Sequence, residues 1–124
     1  MNSKWGIYPW FLEHGIDLIH PDDFETFKQE ANNCKVFKCI ANGQDYITLK
    51  YNNYYYRVKD NLFTPVPAPK YDFGKIVKIK KNKENAIITD IMWHYVKHQH
   101  YYFVSVKNKK NQRDIWIQSL CRYR

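Results

Sequence analysis

The chain has 124 residues, 44% of them hydrophobic and 18% aromatic, with only four glycines and five prolines, a composition that fits one compact domain or two very small ones and excludes a disordered chain. Its net charge of +8 is segregated: residues 1–70 hold eight Lys/Arg against eight Asp/Glu, residues 71–124 twelve against four, so the whole excess (12 − 4 = 8) is C-terminal. No apolar run approaches the ~18 residues of a membrane-spanning helix, and MNSKWGIYPW lacks the basic-then-apolar order of a secretory signal, so the expectation is a cytoplasmic protein with no membrane partner.

In the first section, residues 1–33, helix is expected only over about 9–31. In YPWFLEHG, Pro9 is placed to open a helical turn and Gly15 to end it. In HPDDFETFKQEANN, Asp22 is the expected N-cap, Asp23 and Glu25 suit the first turn, and Phe24, Phe27 and Ala31 recur at helical spacing before Asn32-Asn33. Helices this short need a partner, so Trp10, Phe11, Leu12, Leu18, Ile19, Phe24 and Phe27 must pack on a sheet.

Residues 34–69 alternate as strands do. KVFKCIA places Val36, Lys38 and Ile40 on one face and Phe37 and Cys39 on the other; DYITLKY and YYYRVK follow, with turns expected at Asn42-Gly43 and Asn52-Asn53. DNLFTPVPAPK then offers a short strand or turn at Leu62 to Val66, and a crossing in which Pro65, Pro67 and Pro69 preclude an interior strand. Residues 70–124 repeat the recipe. YDFGKIVKIKK, NAIITDIMWH, HYYFVSVK and RDIWIQ read as strands, NKKNQ as a polar turn and SLC as a closing turn. RVKDNLF in the first half can be laid over IWIQSLC in the second by matching Leu62 to Leu120, a faint internal echo.

The opening WGIYPWFLEHG with LIHPDD, then KVFKCI, YRVK and FTPVPAP, resembles a small uncharacterised bacterial family, over most of residues 4–69; this resemblance carries no activity with it. FGKIV and MWH in the second half resemble SH3-like modules of the KOW and Tudor kind, which implies a binding role, since such barrels bind RNA, ribosomal components, DNA or modified peptides. The expected fold is mainly β: short N-terminal helices followed by two tandem SH3-like small barrels, over residues 1–69 and 70–124.

The densest chemistry lies in DIMWHYVKHQHYYFVSV. His94, His98 and His100 fall within seven positions among Trp93, Tyr95, Tyr101 and Tyr102, and Tyr95 to Gln99 is the expected loop of a hairpin. Three imidazoles invite zinc, but no carboxylate or cysteine is placed as a fourth ligand, and Cys34, Cys39 and Cys121 lack CxxC spacing, so neither metal nor cofactor is expected. A binding edge fits better, with Trp93, Tyr95 and Tyr101 to stack on bases and Lys97, Lys107, Lys109, Lys110 and Arg113 to attract phosphates. His20 with Asp22 and Asp23 has an acid–base vocabulary but sits where a helix start needs it, and no nucleophile motif, P-loop or HExxH occurs, so no enzymatic activity is expected. Two readings remain: a nucleic-acid-binding module for RNA or single-stranded DNA, and a protein-interaction module, adaptor or inhibitor, for an acidic partner.

Overall fold

The computed structural model describes residues 4–30, 34–79, 83–106, 112–116 and 120–122, with side chains described up to residue 106. The chain is mainly β and divides into two compact units, Met1–Ala68 and Pro69–Arg124.

In the first unit, β1 (Lys4–Ile7), β2 (Val36–Asn42), β3 (Ile47–Tyr51), β4 (Tyr54–Val58) and β5 (Thr64–Pro65) form one antiparallel sheet in the order β4-β3-β2-β1-β5. The β3–β4 turn is the expected Asn52-Asn53 pair, with Asn52 in the left-handed region at φ 55°. Strand β1 lies ahead of the helical segment expected from Pro9, in a stretch to which the sequence pattern assigns no element. Gly6 shows why a strand is built there: a Cβ at this position would stand 2.6 Å from both Phe63 Cζ and the Thr64 carbonyl oxygen, so glycine lets β5 close over β1.

The α-helix α1 (Phe24–Glu30) supplies one plug to the sheet's inner face. Phe27, 2% exposed, meets Tyr8 and Tyr56 edge-on at 5.8 and 5.2 Å, stacks on Phe37 at 6.2 Å and touches Trp10 at 6.0 Å. Leu49, Val58 and Ile19 complete this core. The short helix expected after Pro9 resolves into two 3-10 turns, Leu12–His14 and Ile16–Leu18, joined at Gly15 with φ 105°. Asp22 is not the helix N-cap: Asp23 immediately precedes the helix, and its carboxylate accepts from the Arg57 backbone N–H at 2.8 Å and from Arg57 Nε at 2.9 Å. These bonds cover an edge of β4 and hold the Asp23 carboxyl below the usual carboxylate range. Tyr8 anchors the turn after β4, donating to the Lys59 carbonyl at 2.6 Å; burial pushes its phenol pKa up, and that of Tyr56 to about 12.

The second unit repeats the connectivity. β6 (Ile76–Ile79), β7 (Asn85–His94), β8 (Gln99–Val106), β9 (Gln112–Trp116) and β10 (Leu120–Arg122) lie in the order β10-β6-β7-β8-β9, so in each unit the fifth strand returns antiparallel to the first. β8 alternates strictly, burying His100, Tyr102, Val104 and Val106. β7 keeps pace by a bulge between Ile88 and Asp90, which brings Ile88, Ile91 and Trp93 to the same inner face. Tyr102 packs against Tyr71 at 5.6 Å, and its hydroxyl accepts from the Lys70 backbone N–H at 3.0 Å.

Two features differ from expectation. The sheets are open five-stranded ladders rather than closed barrels: each ends on strands with one neighbour, and β5 is two residues long with Pro65 lacking the N–H that further pairing needs. Leu120 and Cys121, expected in a closing turn, belong to β10 and pair with Ile79 and Lys78.

Candidate functional site

On the face of the first sheet opposite Phe27, four strands place one residue each in a single row. Trp5 of β1 pairs with Lys38 of β2, Lys38 with Lys50 of β3, and Lys50 with Tyr55 of β4. At ~4.8 Å per strand spacing the row is about 14 Å long. Lys38 Nζ lies 5.6 Å from the Trp5 ring centroid and Lys50 Nζ 5.8 Å from that of Tyr55, so each ammonium leans on the aromatic beside it. Trp5 and both lysines are half-buried, and Tyr55 is 55% exposed.

The electrostatics of this row are unbalanced. Two lysines directly opposite one another repel, a cost of the order of a few tenths of a kcal/mol at a wet surface. The strands β1 to β4 contain no Asp or Glu, and among the described residues neither Lys38 nor Lys50 has an ion-pair partner. Arg57, further along β4, is already neutralised by Asp23. What the row offers chemically is two cations able to meet anionic oxygens, flanked by two aromatic rings whose centroids lie 5.6 and 5.8 Å from them.

Of the residues singled out in the second unit, the described aromatic ones do not share a face. Trp93 is 8% exposed and paired with His100, whose ring meets it edge-on at 5.0 Å; it belongs to the core and presents no face to a base. Tyr101 is half-buried on the opposite face, 6.3 Å from His94 and 6.2 Å from Phe103. Tyr95 and Lys97 are exposed in the 95–98 loop, with Val96 at 84% exposure between them. Lys107, Lys109 and Lys110 lie outside the described residues, and Arg113 is placed only as a β9 position opposite Val104.

The three histidines of this hairpin also diverge. Trp93 and His100 share the inner face, whereas His94 pairs with Gln99 on the outer one, and His94 Nδ1 accepts the Lys97 backbone N–H at 3.0 Å. His98, with φ 53°, stacks its ring on Trp93 at 6.5 Å. Among the described residues no group of three or more His, Cys, Asp or Glu is placed to hold a metal ion. Cys34 and Cys39 are reduced cysteines outside any disulfide, Cys39 buried; burial pushes the Cys34 thiol up, which disfavours the thiolate a nucleophile needs. His20 Nδ1 accepts from the Asp22 N–H at 3.1 Å, and Asp23 is taken by Arg57, so this acid–base group braces the approach to α1.

Sequence reasoning missed Trp5, Lys50 and Tyr55 as a site. The alternation of β2 does put Lys38 outward, but its pairing with Lys50 depends on a bulge between Cys39 and Ala41 that no local pattern announces.

No helix among the described residues is long and apolar enough to cross a membrane. Comparison with curated proteins and with solved structures finds no match to either. Over residues 1–121 the chain matches DUF6960, a family of unknown function, and it belongs to that family.

Proposed function

We propose that this chain is a cytoplasmic, non-enzymatic binding module for single-stranded nucleic acid, RNA or DNA. The observation that carries the reading is the Trp5–Lys38–Lys50–Tyr55 row. A four-stranded sheet that stacks two or three bases on its aromatics while cations hold the backbone is a recurrent way to bind single strands, and a row about 14 Å long suits that scale. An opposed lysine pair without a carboxylate costs stability in the free protein, and a phosphate oxygen between the two ammoniums removes the repulsion. The excess of lysine in residues 71–124 adds a long-range attraction for the same polyanion.

The shared strand order of the two units, with a 3-10 turn at Asp60–Leu62 before the returning strand of the first, supports reading each as an SH3-like module, divided near residue 69. The test is direct. Fluorescence anisotropy with labelled mixed-sequence RNA and single-stranded DNA at low salt is expected to give micromolar or tighter binding that weakens as salt rises. No binding to either, together with salt-resistant association with an acidic protein, replaces this reading with the protein-interaction one.

A further inference from the structure

An independent feature of the first unit concerns protein recognition. Phe11, Leu12 and Ile16, three large apolar side chains within six positions, are 47%, 63% and 61% exposed. They do not sit on a slack loop. The Trp10 indole N–H donates to the Gly15 carbonyl at 2.9 Å, the Phe11 backbone N–H to His14 Nδ1 at 2.9 Å, and the His14 and Gly15 N–H groups to the Phe11 and Leu12 carbonyls at 2.9 and 3.1 Å. Trp10 itself is wedged edge-on against Phe24 and Phe27 at 5.8 and 6.0 Å, so the turn is fastened to the core by the residue that precedes it. A Cβ on Gly15 would stand 2.9 Å from Asp17 Oδ1 at φ 105°, which fixes the joint between the two 3-10 turns.

A rigid apolar projection loses little conformational freedom when it is covered, the condition under which exposed side chains become binding anchors. The charge around it narrows the occupant. Glu13 and Asp17, both exposed, interleave with the three apolar residues, and residues 1–30 as a whole carry Lys4 and Lys28 against six acids. These carboxylates repel an anionic lipid surface and a nucleic-acid backbone alike. We propose that Phe11, Leu12 and Ile16 form a docking knob for a partner protein presenting an apolar cleft edged by Lys or Arg. The knob carries protein recognition on an acidic surface separate in sequence from the lysine row, so the two roles stand or fall independently.

The full-length chain carrying the photo-crosslinking residue benzoylphenylalanine in place of Leu12, expressed in its own host cells, provides the test. The expected result is a discrete adduct whose crosslinked partner peptide, read by mass spectrometry, is apolar and flanked by Lys or Arg. It should fall at least about ten-fold in the same chain carrying Ile16→Asp, the scale of losing an interface anchor, and be absent when the crosslinker replaces exposed Tyr54. An unchanged melting curve for the Ile16→Asp chain shows that the loss is not unfolding. No adduct above the Tyr54 control, an adduct with a second copy of this chain, an adduct with an acidic peptide, or an adduct insensitive to Ile16→Asp overturns the proposal. Nucleic-acid binding by anisotropy is expected to be unchanged by Ile16→Asp, so failure of the knob and failure of the lysine row are read separately.

Discussion

Replacing Lys38 and Lys50 together by glutamine gives the most discriminating measurement of the lysine row. Each lysine that neutralises a phosphate of a single strand contributes about 0.7 to the slope of log affinity against log salt, so losing two makes the slope shallower by about 1.4. Between 50 and 200 mM salt, a four-fold change, wild-type affinity should therefore fall about seven-fold more than that of the double variant. Tyr55→Ala isolates the other half of the row: with its ring exposed and contacting Lys50, it should cost roughly 1–3 kcal/mol, or about 5- to 150-fold in affinity, and leave the slope unchanged. Anisotropy titrations with one labelled oligonucleotide at three salt concentrations read both quantities. The double variant should lose about 1 kcal/mol of stability, because two cation–aromatic contacts of about 0.5–1 kcal/mol each outweigh relief of a Lys38–Lys50 repulsion of a few tenths. A slope identical to wild type, or a slope that shifts only when exposed Lys97 is replaced, refutes the assignment of phosphate binding to this row.

Phe27→Ala, which empties a site walled by Tyr8, Trp10, Phe37 and Tyr56, should cost about 3–5 kcal/mol in urea unfolding; a loss under 1 kcal/mol would mean that α1 does not plug this core. Asp23→Asn should lower the melting midpoint at pH 7. Because the native Asp23 carboxyl titrates below its unfolded value, its contribution is present above about pH 4 and fades as pH falls through the depressed native pKa, so the gap between variant and wild type should shrink in acid; a gap constant with pH argues against the Arg57 pairing. One equivalent of zinc should leave the melting midpoint where it is, since His94 and His100 occupy opposite faces of the β7–β8 ladder; a bound zinc lost on His98→Ala would contradict that placement.

The legible part of the fold was the part with local signals. β2 to β4, β7 and β8 combine period-two alternation with β-branched and aromatic residues, and Asn52-Asn53 marks its turn; these strands lie where the pattern puts them. β1 and β10 were not legible, and β5 was legible only as a short strand or turn within Leu62 to Val66. They are two to four residues long, too short for periodicity, and exist because a distant partner pairs with them: Ile7 with Thr64, Leu120 with Ile79. The same limit hid the candidate site. Trp5 comes from one of those short strands, while Trp93, which looked like a stacking residue beside Tyr95, is turned inward by the bulge after Ile88. Composition located the charge excess correctly in residues 71–124, but charge totals do not say which lysines stand beside accessible rings.

The common strand order of the two units has a consequence for folding. Each unit leaves the outer edge of its first strand to be completed by a brief strand that arrives last, β5 onto β1 and β10 onto β6. A chain with two equivalent vacancies and two equivalent closing strands can in principle pair them crosswise, a kinetic trap characteristic of duplicated architectures. Pro65, Pro67 and Pro69 work against it, because β5 and the chain that follows have few amide donors with which to extend a wrong pairing, and its two-residue length gives an exchanged pairing little to hold it. Refolding from urea with Pro65 and Pro67 replaced by threonine should accordingly show more slow-folding or associated material than the wild type, at a native stability little changed.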